Sequence, residues 1–494
     1  MKRVVLSFVC FFAALGLMAQ TYNLDIEAKI KGKYELWSDV KKTKITKLEH
    51  ITSGSERKNN EEYYIYAGNK KIKVGSMEIY CNPKNIDELW AVNQINSTMP
   101  TLESKGMQMQ LRQETHQDAV DFVSTMKSHG MEMTDAGLVN YIRGLMYKAA
   151  PKDMVDGRPG HPYLFVVDSP DENAFMFADG TLVLYTGLIA NMHTEDELMA
   201  VICCEMAHYM LDHSIANINA AISRESRAAF WANVLTGVAA GADWALSDRY
   251  RWYMPGTLTL PVAQASVVIA NKVTDYGGMK YGHKQDLEAD AIAVKMLDLM
   301  GYDKNAVASV LARLQVSMNE NRSTPSYVST YTKPYLAERI SKAGTPDRKC
   351  DVKFEKRVAS AVSSVAGYKY GEGKYTEAVA LVDRNIANNV AVADDYLIKA
   401  NSMLVMNPSD KDRAEINSLI AKARQLNPAD IRPLKTEILS AISAGDNKSA
   451  SALLQQYIDN LETVLSSNSS RYSDITDYLN SEIDWARDTK VRIQ

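Results

Sequence analysis

The chain has 494 residues, of which 46% are hydrophobic and 23% charged, and carries a formal net charge of −4. That length exceeds what one core organises, so about two to four domains are expected, and the composition is that of an ordinary globular protein. The small negative balance excludes an electrostatic case for nucleic acid or for an anionic membrane surface.

The first residues read as an export signal. Lys2 and Arg3 precede an uncharged apolar run from Val4 to Leu17, and Ala19 offers a small residue for cleavage. The run is shorter than the roughly 20 residues that span a bilayer, so a signal peptide over 1–19 is expected, with a retained anchor as the alternative. Cys10 lies in mid-run, which speaks against a lipid anchor. The mature chain is then expected in the periplasm or otherwise in the cell envelope. Of the remaining cysteines, Cys81 and Cys350 can form a disulfide in an oxidising compartment or stay free; the sequence leaves both open.

Residues 20–105 read as a β-rich module. Ile26–Ile30 alternates, Tyr63–Tyr66 is rich in strand-favouring side chains, Gly68-Asn69 offers a turn, and Ile72–Val74 follows. From Gln110 the period becomes helical. Asp135 or Thr134 can cap a helix whose apolar face is Leu138, Ile142, Leu145 and Met146. Tyr163–Val167 and Thr181–Tyr185 are apolar runs of buried-strand type. Thr194 with Glu197 forms a capping-box pattern opening a long helix from Glu195 to about Asp212. Residues 225–275 are apolar but broken by Asp243, Asp248, Arg249, Arg251, Pro255 and Pro261, which fits a helix and a mobile lid better than a membrane span. Another helix begins near Lys284 and passes Leu297.

Residues 355–494 read as helical pairs. Tyr368, Gly373, Tyr375, Ala378 and Leu381 mark one, and Ala414–Leu426, closed by Asn427-Pro428, another. Gly445 lies 72 positions after Gly373, about two units of ~34–36 residues, which suits a tetratricopeptide-like array. An irregular helical bundle is the alternative.

The chemistry concentrates in Cys203-Cys204-Glu205-Met206-Ala207-His208. On a helix, residues four apart share a face, so Cys204 and His208 can address one point, with Glu205 beside it. Two ligands at that spacing, with a carboxylate after the first, is the geometry of H-E-x-x-H, in which the glutamate acts as general base on metal-bound water. Cys204 beside Cys203 also reads as a buried small hydrophobe. A Cys204–His208 nucleophile pair is the other chemical reading, but no orienting third group accompanies it.

The surroundings add order. Asn173-Ala174-Phe175, Ala178-Asp179-Gly180, Tyr185-Thr186-Gly187-Leu188 and Glu195–Leu198 lead into that helix, and Asp286-Leu287-Glu288-Ala289-Asp290 follows it. This set resembles the HtpX/BepA-type zinc metallopeptidases, relatives of the CaaX prenyl endopeptidases, over about residues 130–345. The resemblance implies an α+β fold: a zincin-like metallopeptidase domain, helical with a small sheet, over 110–345. The β-rich module precedes it and the tetratricopeptide-like α-helical repeat region of 355–494 follows.

Carried over position by position, the general base falls on Glu205 and the metal ligands on Cys204, His208 and Asp286. The aspartate that orients a liganding histidine falls on Asp290, and a later histidine falls on Lys333. Three positions thus depart from the family pattern: Cys204 for histidine, Asp286 for glutamate and Lys333 for histidine. Cysteine and aspartate both ligate zinc, but both are shorter than what they replace. A thiolate with a carboxylate also adds negative charge that lowers the ion's acidity. His283 can reach the face of Asp286 as a substitute ligand, although a surface histidine is the simpler reading. Glu288 points away, and His213 suits the helix end. The family's substrate strand falls on Thr181–Tyr185, which makes Leu182 and Leu184 candidates for binding extended substrate by strand addition.

The expectation is a Zn2+-dependent metalloendopeptidase of the cell envelope, acting on unfolded or misassembled proteins. The helical repeats would hold substrate or a protein partner. The alternative is an inactive relative that binds envelope proteins or an assembly partner without cutting.

Overall fold

The computed structural model describes residues 17–32, 41–55, 58–67, 69–73, 77–81, 83–90, 92–93, 107–151, 162–222, 281–321, 335–406, 408–468 and 473–493. The expected lid, Lys333 and most of the expected export signal lie outside these residues. Leu17–Ala19, at the signal's expected end, belong to the first strand.

Five antiparallel strands come first: β1 (Leu17–Gly32), β2 (Lys41–Ser55), β3 (Lys58–Ala67), β4 (Lys70–Lys73) and β5 (Met77–Cys81), in the order β4-β3-β2-β1-β5. The register of β1 on β2 shifts between Asn23 and Ile26, so one bulge interrupts the ladder. Cys350 carries a free thiol, so the disulfide to Cys81 that the sequence left open is not formed.

A three-stranded sheet organises the next region. β6 (Tyr163–Val167), β7 (Ala174–Met176) and β8 (Thr181–Tyr185) lie in the order β6-β8-β7, with β6 parallel and β7 antiparallel to β8. Past Tyr163, which is exposed, and Thr181, these strands are apolar because both faces are covered. Leu164, Val166, Leu182 and Leu184 enter the main core. Phe165, Val167, Val183 and Tyr185 face Phe122 and Met126 of α1 (Met107–Ser128). α2 (Ala136–Ala149) is capped by Asp135 and buries the four residues its sequence period selects.

The short α3 (Thr186–Ala190) follows β8 without a loop, and Gly187 explains how. A Cβ at Gly187 would stand 2.2 Å from the Pro170 carbonyl oxygen and 2.4 Å from that of Asp171. Only glycine admits this approach of two backbones, which the Gly187 N–H to Ser169 carbonyl bond of 2.8 Å seals.

Helix α4 (Glu195–Met210) is the centre of the fold. Every residue from Glu197 to Met210 is buried, so it shows no polar face; its surroundings are α2, β7, α6 (His283–Met300) and α7 (Ala306–Asn321). Thr194 caps it by accepting from Glu197 N–H, and three acidic residues occupy its first turn, where the helix dipole favours them. α5 (His213–Ile222) follows directly, with α8 (Leu336–Ala343) further along the chain.

The remainder is helical: α9 (Val352–Arg357), α10 (Ala359–Gly371), α11 (Tyr375–Ala387), α12 (Ala393–Val405), α13 (Asp410–Leu426), α14 (Arg432–Ser443), α15 (Asn447–Asn468) and α16 (Ser473–Arg492). From α10 on, each helix packs on the next. Gly373 and Gly445, which the sequence aligned, both close a helix with a φ of 75°. Among the described residues no helix is long and apolar enough to cross a membrane.

Gly187→Ala is expected to lower stability by about 1–3 kcal/mol or more, because the obstructing atoms are backbone. Gly144→Ala, at an exposed position in α2 where a Cβ meets nothing within 4 Å, is expected instead to stabilise by about 0.5–1 kcal/mol. Denaturant midpoints of the two variants check both signs.

Candidate functional site

α4, α5, α6 and α8 bring together Cys204, Glu205, His208, His213, Asp286, Asp290 and Arg339, all buried, with Tyr281 closing one side. Glu205 and His208 are 2% and 3% exposed, so charge there meets little water.

His208 is held from three directions. Its ring stacks on Tyr281 at 3.5 Å and 10°. Its Nδ1 lies 2.9 Å from Nδ1 of His213, and its Nε2 lies 3.7 Å from Asp286 Oδ1. His213 Nε2 in turn meets Glu288 Oε2 at 3.4 Å. One of the two facing Nδ1 atoms donates to the other, and Nε2 of His208 is turned toward the Asp286 carboxyl. Burial, with His213 and Arg339 nearby, pushes the His208 pKa well below its ordinary value, so the ring is neutral.

The acids of α6 are bound by one guanidinium. Arg339 donates from Nε to Asp290 Oδ2 at 2.8 Å and from Nη2 to Asp290 Oδ1 at 2.9 Å, while Nη1 reaches Asp286 Oδ2 at 3.2 Å. Burial pushes the Asp286 carboxyl up to about 7, against the pull of Arg339. The Cys204 thiol donates to Asp290 Oδ1 at 3.7 Å, and burial, then Asp290, raise its pKa well above the ordinary thiol value.

The predicted residues are thus gathered, with changes of role. His208 and Asp286 face one another, while the Cys204 sulfur is turned to Asp290. Asp290, expected to orient a histidine, holds Arg339 and the thiol instead, because the side chain at 204 is no longer an imidazole. Leu182 and Leu184 correct the strand-addition expectation: β8 is the central strand, bonded on both sides, and both leucines are fully buried in the core. His283 bonds Glu338 at 3.1 Å and stacks on Tyr335, and so does not replace a ligand. His213 does more than end a helix; it fixes the His208 ring. The sequence reading missed Arg339 and Tyr281. Arg339 carried a signal, since Leu336, Arg339 and Ala343 share the buried face of α8 and a guanidinium there must find acids.

The donor set is compatible with a zinc-class ion in one respect and resists it in another. An ion bonded to nitrogen and oxygen at about 2.0–2.2 Å spaces two such ligands much as His208 Nε2 and Asp286 Oδ1 are spaced. The thiol must leave Asp290 and lose its proton before it can join them.

Residues 141–346 match peptidase family M48. The chain is also 28% identical over 196 residues to a CAAX prenyl protease 1 homolog of Arabidopsis thaliana. That match covers 38% of this chain and 44% of the relative, so the chain spans less than half the length of the curated relative.

Two outcomes follow from the buried charges. Arg339→Met strands two carboxylates and is expected to cost about 3–5 kcal/mol; adding Asp290→Leu should recover part of that in the same unfolding assay. Asp286 has a folded pKa raised above the ordinary 3.8, so its stabilisation is complete below about pH 4 and is lost as pH rises through about 7. With chelator present, wild type is expected to lose stability relative to Asp286→Asn over that window, and to run parallel to it above.

Proposed function

We propose, from the premise that residues 141–346 are a peptidase family M48 domain, that this chain hydrolyses peptide bonds with a zinc-class ion. His208 and Asp286 would hold the ion, with Cys204 completing the set. The observation that carries the reading is Nε2 of His208 opposed to Asp286 Oδ1 at 3.7 Å, with Glu205 one residue from Cys204 in the same buried wall. When bound, the ion supplies Lewis acidity to the scissile carbonyl and to water.

The chain's residues do the remainder. Glu205 accepts the proton of the attacking water and delivers it to the leaving amine. His213, bonded to His208 Nδ1, keeps Nε2 of His208 turned toward Asp286. Tyr281 covers the His208 ring and excludes water from that side. The short Asp286 and the anionic thiolate lower the acidity available, so this is a slow peptidase by design of its ligands. The basic and apolar start of the chain supports work in the cell envelope, and the stacked helices after residue 355 support a role in holding unfolded protein or an assembly partner.

One observation favours a second reading. Arg339 already bonds both Asp286 and Asp290, and the Cys204 thiol is spent on Asp290, which leaves fewer donors for an ion and suits a protein that binds chains without cutting them. Cleavage of a casein-type substrate with added zinc separates the two. Wild-type activity falling about 10²–10⁴-fold in Glu205→Gln is the expected result. Equal inactivity of both proteins, with substrate still bound, means a binding protein.

A further inference from the structure

A second donor cluster lies at the opposite end of α4. His193, Cys350 and Glu355 place one ligand atom each within 4.8 Å of one another. His193 Nδ1 is 2.6 Å from Glu355 Oε1, and the Cys350 sulfur is 3.3 Å from that same oxygen. Glu355 is 3% exposed while Cys350 is exposed, so the cluster is anchored inside and open outside. It borders a cleft of about 580 Å³ that His193, Arg313, Asp347 and Arg384 help to line.

The surrounding bonds preorganise it. His193 N–H donates to Glu197 Oε2 at 2.7 Å, and its carbonyl accepts from Asp351 N–H at 2.9 Å. Arg384 donates from Nε to Glu355 Oε2 at 3.1 Å and from Nη2 to the Met192 carbonyl at 3.1 Å. One carboxylate oxygen is therefore held by the guanidinium, and the other faces the imidazole and the thiol. Burial alone would raise the Glu355 pKa, but His193 and Arg384 bring it down to about 2, so the carboxylate is charged at every working pH.

We propose that His193, Cys350 and Glu355 form a metal site for a zinc-class divalent cation, separate from the Cys204–His208–Asp286 region. One nitrogen, one sulfur and one oxygen donor match zinc chemistry, whereas calcium and magnesium require oxygen cages. Binding forms a metal–sulfur bond as the Cys350 S–H proton is released to solvent, and a metal–nitrogen bond as the His193 Nδ1 proton that faces Glu355 Oε1 is displaced and the ring keeps its one proton on Nε2, with no change of oxidation state. Three protein donors leave a fourth position toward the cleft for water or a ligand atom. The ion would join the loop before α4, the segment ending at Cys350 and helix α9.

Cobalt titration of the full chain tests this, because a cobalt–thiolate bond gives an ultraviolet charge-transfer band. The titration is run in the Cys204→Ser background, so that failure of the peptidase reading cannot be mistaken for failure of this one. The band is expected there at one equivalent of cobalt, and is expected to vanish when Cys350→Ser is added. His193→Ala should weaken affinity at least about tenfold, the scale on which even supporting groups act. Zinc should also protect Cys350 from alkylation, read by peptide mass. No band in the Cys204→Ser chain, a band that survives Cys350→Ser, or alkylation of Cys350 indifferent to zinc overturns the proposal.

Discussion

A guanidinium buried between two aspartates one helical turn apart sets the terms for the interior of the region that matches peptidase family M48. Arg339 is 3% exposed, and taking it out of water costs several kcal/mol that only well-aligned acids return. Asp290 returns it with a two-pronged pair, and Asp286 adds a third bond. This cross-brace ties α8 to α6, and α6 lies along the site face of α4. The positions of Cys204 and His208 relative to Asp286 therefore depend on a cation supplied by the protein itself.

The same brace explains how two of the departures, Asp286 and Cys204, coexist with an intact scaffold. An aspartate at 286 is one methylene shorter than glutamate and stays close enough to the backbone of α6 to share the guanidinium held by Asp290, one turn on. A thiol at 204 is a small donor that one oxygen of Asp290 satisfies, where an imidazole would present two polar atoms to be paired. Both replacements let the buried acids find partners within the protein, and both withdraw donors from an ion that enters. Stability and metal affinity thus draw on the same carboxylates.

Much of this was legible in the chain. The strands Tyr163–Val167 and Thr181–Tyr185 end where the apolar runs end, because burial on both faces leaves no ambiguity of period. Thr194 with Glu197 located the start of α4, since capping is a local contact. What the sequence hid is non-local. Periodicity could not place β8 between two partners, and so the edge expected at Leu182 and Leu184 was misjudged. Helical spacing put Cys204 and His208 on one face, but it could not say that the thiol would turn to Asp290, 86 residues away. His193, Cys350 and Glu355 share no motif, so only the packing of α9 against the loop before α4 assembles them.

α4 gives these two regions a common frame. His193 directly precedes its cap and His208 lies near its end, about 20 Å along an axis that rises 1.5 Å per residue. A helix buried on every side has no soft face on which to bend, so whatever fixes its first turn also fixes the depth of its last. Glu197 is pinned by Arg313 at 2.6 Å, and Asp351 pins the His193 carbonyl. An ion at the first turn would add a bond of the same kind. It would hold His208 against Asp286 from a distance, without contributing any atom to that pair.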